Sequence, residues 1–179
     1  MLIVNTLDIS DIPEIKFIYK EIGELVSYNP NHNNLFDIIS KADAYLASAA
    51  IEVNSEFLKH AKVLKVIGSP STGTDHLDLK LIKERGIVCF DISEEFDLIN
   101  SFSATSELAF SLLLALSRKV IPAIKDAEKG LWTREKYTGY QLLNKTIGII
   151  GLGRLGKITA RIAHGFGMNV IAYDIKNIK

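Results

Sequence analysis

Thr146-Ile147-Gly148-Ile149-Ile150-Gly151-Leu152-Gly153-Arg154-Leu155-Gly156 runs from a β-branched apolar stretch into a glycine-rich turn and on into a helical pattern that reaches Phe166. A bare G-x-G-x-x-G is a weak signal; one that follows a strand and opens a helix is far stronger. Gly151 lets the chain turn sharply off the strand, Gly153 removes the Cβ that would hold a pyrophosphate away, and Gly156 lets the helix pack closely on the strand. The free N–H groups at the helix start, with the positive end of the helix dipole, then face an anion. Arg154 either adds a phosphate contact or is a solvated helix-start arginine. A second apolar run, 169–173, ends in Asp174, close to the spacing of an acid that accepts both hydroxyls of an adenosine ribose. Such a carboxylate repels a 2′-phosphate, so NAD is expected in preference to NADP, a preference that Lys176 softens.

The bulk composition narrows the partner. A chain of 179 residues, 47% hydrophobic and 23% charged, can bury one good core or two small ones. Lys+Arg and Asp+Glu both number 21, with no long run of one sign. That balance argues against a nucleic-acid groove and against an anionic membrane surface, and for a small-molecule partner. Cys89 lies inside the apolar run 86–90 and reads as a buried small hydrophobe. The start lacks a basic region and reaches Asp8, Asp11 and Glu14 too soon for a signal peptide, and the apolar stretch 108–116 is half a membrane span interrupted by Ser111. A soluble, cytoplasmic protein is expected. His32, His60, His76 and His164 show no metal-ligand spacing.

Across the first ninety residues short apolar runs alternate with amphipathic segments, the pattern of strands feeding crossover helices. Strands are expected near 2–5, 24–28, 44–47, 63–68 and 87–90, and helices near 12–22, 32–40, 54–60 and 78–85. Asp11 and Glu14 read as a capping box, and Gly86 as a helix stop. Such repeated units predict a complete small domain, a parallel sheet covered on both faces. From Ser101 the pattern changes to one long helix, 104–119, too apolar around its circumference for a surface element; it is expected to be buried against a second domain or subunit. Pro122 is expected to break it and start another helical segment, to Lys129. The domain boundary is placed near 97–101.

Gly68-Ser69-Pro70-Ser71-Thr72-Gly73-Thr74-Asp75-His76 follows the fourth strand. Ligands collect beyond the carboxyl ends of strands in open α/β sheets, so this loop is well placed, and its small residues with Gly73 could leave backbone N–H groups free as a nest for a carboxylate. An ordinary Ser/Thr/Pro turn is the alternative. His76 reads as the first turn of the next helix or as solvated, and His164 as part of a helix C-terminus near Gly165 and Gly167.

This loop, the helix 103–118 and the segment 144–156, in that order, resemble the NAD-dependent D-2-hydroxyacid dehydrogenases over residues 42–174. The resemblance implies an α/β fold: a flavodoxin-like parallel-sheet substrate domain (1–100), followed by the first βαβ unit of a Rossmann NAD-binding domain (101–179). It implies that Ser71, Thr72 and Gly73 meet the substrate, Thr72 also the nicotinamide, Arg154 and Leu155 the pyrophosphate, and Asp174 the ribose. The 104–119 helix region would lie in a homodimer interface. The parent reaction would interconvert a 2-hydroxy acid and a 2-keto acid by hydride transfer. Phosphoglycerate-handling members often carry an arginine where this chain has Ser69, which argues against a phosphorylated substrate. The arginine, glutamate and histidine that perform the family's chemistry lie beyond the position of Lys179, so no catalytic residue is assigned. The chain alone is expected to bind weakly and turn nothing over. In the usual strand order the two nucleotide-domain strands keep unpaired edges, so this half-domain is expected to be mobile, held by a neighbouring chain, or part of a longer protein. A non-catalytic dinucleotide-binding or oligomerising module is the alternative.

Overall fold

The computed structural model describes residues 1–9, 11–29 and 34–176, in two compact units, Met1–Ile99 and Asn100–Lys179. In the first, five strands form one sheet: β1 (Leu2–Asn5), β2 (Glu24–Ser27), β3 (Ala44–Leu46), β4 (Val66–Ser69) and β5 (Val88–Asp91). All pairs are parallel and the order is β2-β1-β3-β4-β5, the flavodoxin-like arrangement. Helices α1 (Pro13–Ile22), α2 (Leu35–Ile39), α3 (Ser55–His60) and α4 (Leu79–Glu84) connect them.

The two faces of this sheet differ. Val4, Tyr45 and Ile67 point to the face covered by α2, α3 and α4, where they join Ile39, Phe57, Leu58 and Ile82 in the main core. The opposite face carries Ile3, Ala44, Leu46 and Val66, with Tyr19 of α1 against it. By register Val88 and Phe90 share that second face, yet they remain 50% and 63% exposed. The expected cover on both faces is therefore only partial at the β5 edge. Tyr45 and Phe57 centre the covered face with rings 4.9 Å apart. Truncating Phe57 to Ala removes a fully buried ring; a loss of about 3–5 kcal/mol in unfolding free energy is expected from urea denaturation followed by circular dichroism.

Local chemistry sets the element ends. Asn34, Asn54 and Asp78 each accept a hydrogen bond from an N–H of the helix that follows. The Asp11–Glu14 capping box does not form: Ile12 is the N-cap without a side-chain bond, and Pro13 opens α1. Ile12 has no side-chain acceptor to serve as a cap, and proline is tolerated at the first position because its missing N–H would have no intrahelical partner. Gly86 has φ +70°, and N–H groups of Gly86 and Ile87 return to Lys83 and Ile82, closing a Schellman stop. β4 begins at Val66, three residues later than expected, because sheet pairing starts only where Lys65 and Val66 reach the Asp43 carbonyl. Of the expected helix 32–40, His32 lies outside the described residues.

The second unit contains α6 (Ala104–Ser117), α7 (Val120–Ala127), a 3-10 turn (Arg134–Tyr137), β6 (Thr146–Ile150), α8 (Arg154–Gly165) and β7 (Asn169–Tyr173); a short α5 (Phe96–Asn100), not anticipated, straddles the boundary. The break between α6 and α7 is at Arg118–Lys119, Lys119 taking the left-handed φ of 54°, so Pro122 sits inside the first turn of α7 rather than ending α6. A proline is tolerated there because first-turn N–H groups have no intrahelical partner. Ser106 of α6 is buried, its hydroxyl 3.0 Å from Thr159 Oγ1, and Phe110 stacks on Phe166 at 5.4 Å. The remaining face of α6 is not covered by the described residues: Leu108, Leu112 and Leu116 are 59%, 63% and 80% exposed, the face for which a second domain or subunit was expected. β6 and β7 pair only with each other, leaving one edge of each unpaired among the described residues. Their outer face shows Ile150, Ile171 and Tyr173 to solvent.

Candidate functional site

The sequence turns abruptly at the end of β6. Gly151 has φ +94°, a conformation L side chains avoid, and its N–H is bound by the Tyr173 carbonyl at 2.8 Å. Gly153 is the N-cap of α8 and carries no side chain to cap the first-turn N–H groups. A Cβ on Gly153 would meet nothing within 4 Å, which means that this glycine answers to no packing demand of the chain itself. Gly156 is the reverse: a Cβ there would lie 2.1 Å from the Gly151 carbonyl oxygen and 3.4 Å from Ile149 Cγ2. Helix and turn are in backbone contact through it.

Asp174 stands at the same mouth. Its Oδ2 accepts from the Leu152 N–H at 2.6 Å and its Oδ1 from the Lys176 N–H at 2.9 Å. These backbone donors, Lys176 first, hold the carboxyl below the usual carboxylate range, so it is ionised at neutral pH. Arg154 turns back, its Nη1 donating to the Phe102 carbonyl at 2.9 Å, and so braces the mouth from outside; Leu155 is half-buried behind it. The chemistry on offer is a helix N-terminus with its main-chain N–H groups and a carboxylate beside it, suited to a diphosphate on one side and hydroxyl donors on the other.

In the first unit the strand ends are less open than their position suggests. Asn5 is buried and spends its amide on Leu7 and Ser27, and Thr6 Oγ1 lies within bonding distance of the Leu46 carbonyl, the Ser48 N–H and the Tyr45 hydroxyl. Burial pushes the Tyr45 hydroxyl up to about 12, so it stays a neutral partner. Sequence reasoning missed these residues; an Asn-Thr pair ending an apolar strand was the only available sign.

Beyond β4, Ser71 is half-buried and Thr72 and Gly73 are exposed; the N–H groups of Thr72 and Gly73 bind nothing among the described residues. Gly73 does not take a positive φ, so the nest expected there is not formed by a left-handed glycine. The loop is closed instead by a side-chain clasp: buried Ser69 places its Oγ 3.2 Å from His76 Nε2, while the His76 carbonyl accepts from Val53 N–H at 2.8 Å. His76 thus lies in the turn before α4 and not on its first turn. Next to it, Gly68 falls in register between Leu46 and Phe90, and the missing side chain opens an apolar hollow of about 280 Å³ that Leu7, Pro70 and Asp91 also line. The Ser93 hydroxyl and N–H hold Asp91 below the usual carboxylate range. No group of three or more metal-ligating side chains occurs among the described residues.

Comparison with known proteins agrees with both parts. Residues 2–97 match the D-isomer specific 2-hydroxyacid dehydrogenase catalytic domain, and residues 110–179 the NAD binding domain of the same family. The chain is 32% identical over 158 residues to a D-3-phosphoglycerate dehydrogenase of Methanocaldococcus jannaschii, covering 88% of this chain and 29% of that protein. It is 33% identical over 155 residues to a hydroxypyruvate reductase of Thermotoga maritima, covering 87% and 49%. The solved TT0316 protein of Thermus thermophilus superposes with a TM-score of 0.79 at 28% identity, over 99% of this chain and 57% of that one. The chain therefore spans about half, or less, of the length of the relatives it matches. With both domain models matched along its length, the chain belongs to the D-isomer specific 2-hydroxyacid dehydrogenase family.

Proposed function

We propose that residues 101–179 bind NAD as the opening part of a Rossmann domain, and that residues 1–100 present a small 2-hydroxy or 2-keto acid for hydride transfer to or from it. The observation that carries this reading is the triplet of glycines with three distinct mechanical roles: a positive φ at Gly151, empty space at Gly153 and backbone contact at Gly156. Asp174 selects NAD over NADP, since an ionised carboxylate repels a 2′-phosphate. On the substrate side Thr72 and Gly73 offer unspent N–H groups to a carboxylate, with Ser71, its N–H on the Ser69 hydroxyl, beside them. The neighbouring hollow is apolar and its only charged lining group is Asp91, which favours an acid with an uncharged side chain over a phosphorylated one.

The chemistry needs a cation to clamp the substrate and an acid to protonate the carbonyl oxygen as hydride arrives. By family resemblance those groups have no counterpart among residues 1–179, so this chain binds dinucleotide but does not turn over. Calorimetric titration tests the reading: saturable NADH binding with NADPH weaker by about tenfold or more is expected, and absence of NADH binding overturns it. Oxidation of NADH with any 2-keto acid by the 179-residue protein would contradict the assignment of catalysis elsewhere.

The stripe Leu108, Leu112 and Leu116 is proposed as half of an isologous homodimer contact, an apolar surface of the kind that marks interfaces. L112D with L116D is expected to convert a dimer to a monomer in sedimentation; a wild-type monomer would remove the proposal. A cytoplasmic location is proposed with it. The segment Phe96–Ser117 is long and apolar enough by composition to cross a membrane, but its helix is interrupted at 101–103. The helical part, 14 residues, reaches about 21 Å against a hydrocarbon core of about 30 Å.

A further inference from the structure

We propose a second anion site, for a phosphate group carried on a small molecule, in the polar recess between the C-terminal end of α6 and the start of β6. The recess measures about 660 Å³ and is lined by Arg118, Gly139, Tyr140, Gln141, Asn144 and Lys145 among others. Two of these are cations brought from different elements, and none is a carboxylate. Neither the Arg118 guanidinium nor the Lys145 ammonium has a partner among the described residues. Two unpaired like charges facing one hollow repel each other, and a dianion between them turns that repulsion into charge-assisted hydrogen bonding. A guanidinium fork matches phosphate geometry in particular.

The walls are fixed by the chain itself. Tyr140 N–H donates to the Ser117 carbonyl at 2.9 Å, and Gly139 packs so closely that a Cβ would fall 2.3 Å from that oxygen. At the other end Asn144 takes a left-handed φ of 61°, its N–H bound by the Gly167 carbonyl at 2.8 Å and its own carbonyl by Asn169 Nδ2 at 3.4 Å. Leu142 between them is buried. The 139–145 segment is thus pinned at both ends, and the two cations project from ordered backbone. β6 separates this recess from the glycine turn: Lys145 precedes the strand and Gly151 follows it, roughly 20 Å apart at the rise of a parallel strand. A phosphate here is not the dinucleotide's diphosphate.

The test is titration of the 179-residue protein with inorganic phosphate at constant ionic strength, read by amide chemical shifts. Saturable changes at 118 and 139–145 are expected, with affinity about tenfold weaker in R118Q and in K145Q. Amides 151–156 should respond equally in wild type and variants. Shifts that do not saturate, that centre on 151–156 alone, or that persist unchanged in both variants would overturn the proposal. Should R118Q fail to fold because the arginine serves the α6 C-terminus, K145Q, at an exposed strand start, decides the matter by itself.

Discussion

Gly156→Ala is expected to unfold the second unit at markedly lower temperature and to abolish NADH binding with it. The added methyl would stand 2.1 Å from the Gly151 carbonyl oxygen and 3.1 Å from its carbon, both backbone atoms of a turn already held at φ +94°. No rotamer relieves such a contact; α8 must move off β6. Overpacking of this kind costs about 1–3 kcal/mol, and more where backbone opposes backbone. The unit has one small core, around Phe110, Leu142, Ala163 and Met168, to set against that loss. Differential scanning calorimetry separates the outcomes, because the first unit should keep its own transition. Gly153→Ala is the control. A Cβ there meets open space and φ is −72°, so the fold should be untouched, while NADH affinity falls about tenfold or more because the methyl occupies the path of the pyrophosphate. Equal stability losses for the two variants would contradict the roles assigned.

Asp174→Ala carries the second large effect. It removes the acceptor for two backbone N–H groups at the mouth and the proposed partner of two ribose hydroxyls. Hydrogen bonds to a charged group contribute about 1.5–3 kcal/mol, so NADH affinity is expected to fall about tenfold to a hundredfold while NADPH binding falls less or improves. The pH dependence has a definite sign. Backbone donation from Lys176 and Leu152 lowers the folded-state pKa of this carboxyl. Its contribution is therefore complete above the ordinary carboxylate range and is lost as pH falls through the lowered folded-state value. NADH binding followed from neutral to acid pH should be flat until that acid limb in the wild type, and D174A should lack the limb. An unchanged NADH/NADPH ratio in D174A would show that the carboxylate does not read the ribose.

Much of this was legible in the residues because local chemistry and tertiary contact point the same way. The run 146–156 specifies strand, turn and helix with glycines that the backbone independently requires at 151 and 156. Likewise Gly86 stops α4 where a left-handed residue was called for, and the alternation of apolar and amphipathic runs led to five parallel strands. What the sequence concealed depended on partners distant in the chain or outside it. The α6–α7 break falls on Lys119, a residue with no intrinsic claim to a left-handed conformation, three positions before the proline that seemed to dictate it. The apolarity of α6 pointed to burial, yet its leucines face solvent, because composition states that a surface needs a partner without stating that the same chain provides it. The Ser69–His76 clasp joins residues seven apart in a loop whose path no periodicity encodes.

The account rests on the main-chain amides at the start of α8 holding a dinucleotide diphosphate. A crystal structure of the 179-residue chain with NADH bound tests this directly. The account predicts diphosphate oxygens about 2.7–3.2 Å from main-chain nitrogens within 153–156, with the adenosine ribose hydroxyls on Asp174. A diphosphate seated elsewhere, or a ribose turned away from Asp174, would contradict it.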